Sequence, residues 1–142
     1  MDGITRESPS ASGSWCVFVK LNDTHGVKFY TTSSMRDEAL ALQRAAWEVM
    51  CGPAVGDVCE MPWMPSWRVP YAWNDIGTPS KVFGYITELV DTEGLSHHEY
   101  KALLKKLRDN GISTHDLASC ANVGHTKDGN AVRFDFDPMY YR

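Results

Sequence analysis

The chain has no apolar run near the roughly eighteen residues that cross a bilayer, and its first fourteen residues lack the apolar core of a signal peptide. It therefore reads as a cytoplasmic protein with no membrane partner. It also lacks an excess of positive charge: 14 Lys and Arg stand against 18 Asp and Glu, a formal net charge of -4. No global basic field is present to bind nucleic acid by counterion release, so nucleic acid is not the expected partner. No Cys-x-x-Cys pair occurs among Cys16, Cys51, Cys59 and Cys120, and a cytoplasm keeps thiols reduced, so the four read as small hydrophobes. The spacings of Cys51, Cys59 and the histidines match no zinc-ligand pattern. Internal repeats and regular βαβ alternation are absent as well, which argues against a doubly wound parallel sheet.

What is present is an ordinary globular composition, 43% hydrophobic and 23% charged over 142 residues, enough for one autonomous core. Residues 1–14 carry Ser8, Ser10, Ser12 and Ser14 with Gly3, Pro9 and Gly13, and read as a flexible tail. Residues 15–142 read as a single compact domain. Two β-branched and aromatic runs, Trp15 to Leu21 and Gly26 to Thr32, flank the turn residues Asn22 to His25 and predict a hairpin. Ser34 as N-cap, Asp37 in the first turn, and Ala39, Leu42, Ala46 and Val49 at helical spacing predict a helix over 35–50, stopped by Gly52 and Pro53.

From Glu60 to Lys81, four prolines among Trp63, Trp67 and Trp73 break regular ladders while three large rings need cover, which predicts an irregular packed loop. The run Val82 to Val90 reads as a central strand. Ser96 with Glu99 forms a capping box for a helix whose Tyr100, Leu103, Leu104 and Leu107 share a face, with Gly111 as C-cap. A loop over 113–121, a strand at 122–125, a turn at 128–130 and a strand at 131–136 complete an α+β order: a small antiparallel sheet with a packed helix, then one helix and a hairpin.

The polar residues bracketing that last hairpin carry the chemistry. His115 and Asp116 precede it, Asn122 opens it, and Asp135 and Asp137 close it. A hairpin folds its two ends together, and carboxylates grouped with an amide suit Mg²⁺, a hard cation that completes its shell with water and phosphate.

These residues and their order make the chain similar, over most of 15–137, to the protein-kinase-like phosphotransferase fold, including its small phage and bacterial relatives. The resemblance implies an N-lobe-like part at 15–90 and a truncated C-lobe-like part at 91–142. It implies binding of ATP and Mg²⁺ and transfer of the γ-phosphate, or, in a pseudokinase, binding alone. Lys28 then resembles the strand lysine that contacts nucleotide phosphates, and Glu38, with Gln43 or Glu48 as other choices, the helix acid. Backbone groups around Glu88 to Val90 correspond to the adenine-binding hinge. Asp116 corresponds to the base that receives the hydroxyl proton, and Asn122 and Asp135 to the metal ligands, with Phe136 behind them.

The chain departs from the motif in three places. Six positions rather than five separate Asp116 from Asn122, Asp137 replaces a glycine, and no Gly-rich loop precedes Trp15. The sequence ends five residues after Asp137, which leaves no platform for a protein substrate and points to the other reading, a non-catalytic kinase-like binder. In that case a phage-encoded inhibitor or adaptor acting on a host protein, in the host cytoplasm, is implied. Taken singly, each residue also has an ordinary role: Lys28 as a solvated charge, Asp116 as a loop cap, Asp135 and Asp137 at a strand end, the tryptophans as loop cover, and His97 and His98 as surface residues.

Overall fold

A computed structural model describes residues 3–13, 15–65, 67–74, 77–114, 122–134 and 136. It is α+β, as expected, and divides into two compact units. Unit 1 is Met1–Leu40 with Val55–Leu89, and unit 2 is Ala41–Ala54 with Val90–Arg142. One long helix contributes to both units.

Unit 1 is built on a five-stranded antiparallel sheet of order β1-β2-β3-β5-β4, with β1 at Ser10–Ser12, β2 at Val17–Lys20, β3 at His25–Tyr30, β4 at Val55–Pro62 and β5 at Lys81–Glu88. The β2–β3 hairpin forms where turn chemistry predicts it. Asn22 Oδ1 accepts from the backbone N–H of Thr24 at 2.9 Å and of His25 at 2.8 Å, an Asx turn that reverses the chain.

Two strands correct the sequence reading. The serine-rich segment is no tail, because β1 pairs with β2 and Ile4, only 6% exposed, joins the core. All three β1 side chains are exposed, so no hydrophobic alternation signals the strand. The reading of an irregular segment from Glu60 also fails at its start, since β4 runs to Pro62. As an edge strand with a register shift between Val55 and Val58, β4 shows no clean alternation, and its terminal proline sits where a missing N–H is harmless.

Beyond Pro62 the segment is packed and largely irregular, as expected, with one 3₁₀ turn at Tyr71–Trp73. Its three tryptophans pack into the core rather than lying on the surface. Trp67 stacks on Phe29 with centroids 5.5 Å apart, and Trp63 meets Trp67 and Trp73 edge-on at 5.7 and 5.4 Å.

Helix α1 spans Ser33–Met50. Its cap is Thr32 rather than Ser34: Thr32 Oγ1 accepts the N–H of Met35 at 3.1 Å, and Asp37 lies beyond the first turn. In unit 2, α2 at His97–Asp109 starts with the predicted capping box; its C-cap is Asn110 rather than Gly111, which follows with a φ of 73° that needs glycine. Strands β6, Val123–His125, and β7, Ala131–Arg133, form the predicted hairpin, shorter than expected at its exit. Trp47, Met50, Leu103, Leu107, Val123, Val132 and Phe136 make the core of this unit. No helix among the described residues is long and apolar enough to cross a membrane.

Candidate functional site

In unit 1, the alternation of β3 places Val27 and Phe29 on one face, in the tryptophan-rich core, and Lys28 and Tyr30 on the other. Lys28 is only 5% exposed, so the reading of a solvated charge does not hold. Lysine is almost never fully buried without partners, because desolvation disfavours its ammonium. Lys28 sits directly opposite Tyr85 of β5, with Nζ 5.9 Å from the ring centroid, at the outer range of a cation–π contact. Tyr85 stacks with Tyr30 at 6.2 Å, and both belong to a cluster with Ala39 and Leu40 of α1. The lysine therefore lies on the sheet face whose cluster α1 completes.

Glu38, half-buried, immediately precedes those two α1 residues. Of the three acid candidates it alone belongs to the same unit as Lys28; Gln43 is fully buried and Glu48 exposed in the part of α1 that belongs to unit 2. At the hinge candidates, Glu88 is half-buried opposite His25, and the N–H of Leu89 is already donated to the carbonyl of Thr24 at 2.9 Å. Val90 is half-buried and packs against the core of unit 2.

In unit 2, the carbonyl of half-buried Asn122 accepts the N–H of Phe134 at 3.0 Å. The hairpin thus brings Asn122 beside the residue preceding Asp135. Asp116 and Asp135 themselves lie outside the described residues, as do His115 and Asp137. Among the described residues no three of His, Cys, Asp and Glu group to hold a metal.

Three features of unit 2 escaped the sequence. Arg133 is completely buried, donates from Nη1 to the carbonyl of Ser113 at 2.8 Å, and lies over the Phe136 ring with Cζ 4.7 Å from its centroid. An arginine in a short strand reads as a wet residue, and no periodicity contradicts that. His125 Nε2 donates to Glu99 Oε2 at 2.7 Å, tying β6 to the capping box of α2. That bond, with those from Ser96, holds the Glu99 carboxyl below its ordinary range. The third is Gly124: a Cβ there would come within 2.1 Å of the Asp91 carbonyl oxygen, because Asp91 and His125 exchange backbone hydrogen bonds of 2.8 and 3.0 Å beside it.

The cysteine reading agrees in part: Cys16 is buried, whereas Cys51 and Cys59 are half-buried, and Cys120 lies outside the described residues. Burial pushes the Cys59 thiol up, opposed by the nearby Arg36. His97 and His98 are exposed, as expected. Neither a scan against protein-family models nor a search of curated proteins returns a match to this chain.

Proposed function

We propose that the protein is a kinase-like nucleotide binder that takes Mg-ATP and transfers its γ-phosphate to a hydroxyl acceptor. The observation that carries this reading is Lys28: a lysine 5% exposed, on the third strand of an antiparallel sheet, followed at once by a helix that bears an acid in the same unit. That is the order in which a kinase N-lobe presents its phosphate-binding lysine and helix glutamate. The oxygen donors called from the sequence, Asn122 and Asp135, are the hard ligands Mg²⁺ prefers, and Asn122 is bonded to Phe134, the residue before Asp135 in the sequence. Bound Mg²⁺ would neutralise charge on the β- and γ-phosphates.

In this reading Lys28 holds the phosphates, Glu38 orients Lys28, and backbone groups between Glu88 and Val90 receive the base. Asp116 takes the acceptor's proton as the new O–P bond forms and the bond to ADP breaks. ADP leaves with the electron pair of that bond.

The test is thermal unfolding of the full chain with millimolar Mg-ATP, since a ligand bound only by the folded state adds about 2.7 kcal/mol at a hundredfold excess over Kd. The expected result is a raised Tm that Lys28→Met and Asp135→Asn each abolish, with γ-phosphate transfer or release lost in Asp116→Asn. An unchanged wild-type Tm overturns the reading.

A second reading, a kinase-like fold that binds a protein without turnover, draws on Tyr71. It is 88% exposed at the tip of an otherwise packed aromatic segment, and exposed aromatic rings are enriched where proteins dock. Stabilisation by Mg-ATP without γ-phosphate release favours this second reading.

A further inference from the structure

Arg133 is 0% exposed and among the largest side chains buried completely in the described residues. A guanidinium does not shed its proton, so burying it is tolerable only where acceptors and aromatic faces replace water. The carbonyl of Ser113 and the ring of Phe136 supply two such contacts, on two separate stretches of chain. The backbone of Arg133 is itself held, its carbonyl accepting the Trp47 indole N–H at 2.8 Å and its N–H reaching the Met50 sulfur at 3.3 Å.

What the guanidinium joins is informative. Ser113 stands three residues before Asp116, and Phe136 directly follows Asp135. On the other side of Asp135, Phe134 is bonded to the carbonyl of Asn122. One rigid, planar cation therefore links the approach to the candidate base with the residue next to a candidate metal ligand. Filling the same volume would take only a methionine or leucine, without the desolvation cost of a charge. A lysine would keep the charge but has no planar face to stack while it donates.

We infer that Arg133 is a positioning residue for Mg²⁺ and nucleotide binding, setting the geometry of the hairpin end at Asn122 by coupling the Ser113 backbone to the Phe136 ring. It acts through the chain it joins and touches neither metal nor substrate. The inference rests on the nucleotide reading above.

The experiment titrates MgCl₂ at fixed ATP and follows the thermal stabilisation of the full chain, for wild type, Arg133→Lys, Phe136→Leu and Ser96→Ala. Outer residues that orient metal ligands typically contribute about 10- to 100-fold in metal affinity, so Arg133→Lys is expected to raise the half-saturating Mg²⁺ concentration by about tenfold or more. Phe136→Leu shifts it in the same direction and carries the test if Arg133→Lys fails to fold. Ser96→Ala removes a cap elsewhere in unit 2, lowers the starting Tm and leaves the Mg²⁺ midpoint unchanged. Hydrogen exchange without ligand adds a second readout: the amides of Ile112 to Thr114 and of Phe134 speed up together in Arg133→Lys and not in Ser96→Ala.

A wild-type midpoint in both the Arg133 and Phe136 variants, or an equal shift in Ser96→Ala, overturns the inference and leaves the nucleotide reading standing. A wild-type protein that shows no stabilisation at any Mg²⁺ concentration removes both.

Discussion

The two units solve the same packing problem with different parts. Each is anchored by a tryptophan with no exposure whose indole N–H donates to a carbonyl far along the chain: Trp73 to Trp15 at 2.9 Å in unit 1, and Trp47 to Arg133 at 2.8 Å in unit 2. Each also buries a cation, Lys28 in unit 1 and Arg133 in unit 2. The cations differ in kind. Lys28 is a point charge beside a tyrosine face. Arg133 is held by a carbonyl and a ring at once, so it fastens segments together. A buried cation thus meets a single aromatic face in one unit and joins two stretches of chain in the other.

The largest expected effect tests whether the two anchors are equivalent. Trp73→Ala and Trp47→Ala should each cost about 3–5 kcal/mol in urea unfolding, the usual range for a buried tryptophan. A markedly smaller loss for one would show that its unit has room to collapse. Next is Gly124→Ala, where the new methyl would strike the Asp91 carbonyl; forced displacement of this kind costs about 1–3 kcal/mol, and unit 1 should show no matching change in hydrogen exchange.

Arg133→Met and Lys28→Met sharpen the difference between the cations. Loss of the bond to Ser113 should cost about 1–3 kcal/mol by leaving a carbonyl with one acceptor site unfilled. Lys28→Met, which exchanges a desolvated charge for an apolar chain of similar length, should remove the response of Tm to Mg-ATP, the readout that Arg133→Met tests only indirectly. A Lys28→Met protein as damaged as Arg133→Met would place both residues among the fasteners.

The smallest effect concerns pH. Glu99 has a folded pKa below its ordinary 4.5, so its contribution is present above that value and is lost as pH falls through the lowered one. Glu99→Gln should therefore flatten the acid side of the Tm profile below pH 4.5 and leave the neutral side parallel to wild type. An acid limb identical to wild type would show that the His125 contact contributes nothing to stability.

Much of the fold was legible in the chain because its signals are local. The Asx turn at Asn22, the Ser96 capping box, the Gly111 stop and the turn before β7 depend on residues a few positions apart, and each formed where the sequence placed it. Strands β1 and β4 were illegible because both are sheet edges, where one flank faces water and hydrophobic alternation fades.

The same division holds for the candidate site. By itself the sequence determined the inventory: a strand lysine, a helix acid, and an amide with two carboxylates around a hairpin, together with the helices and turns that carry them. Only the tertiary structure decided that Lys28 is buried against Tyr85, that Glu38 shares its unit, that Arg133 is interior, and that His125 reaches Glu99. Burial of a charge is set by neighbours distant along the chain, and no short-range pattern records them.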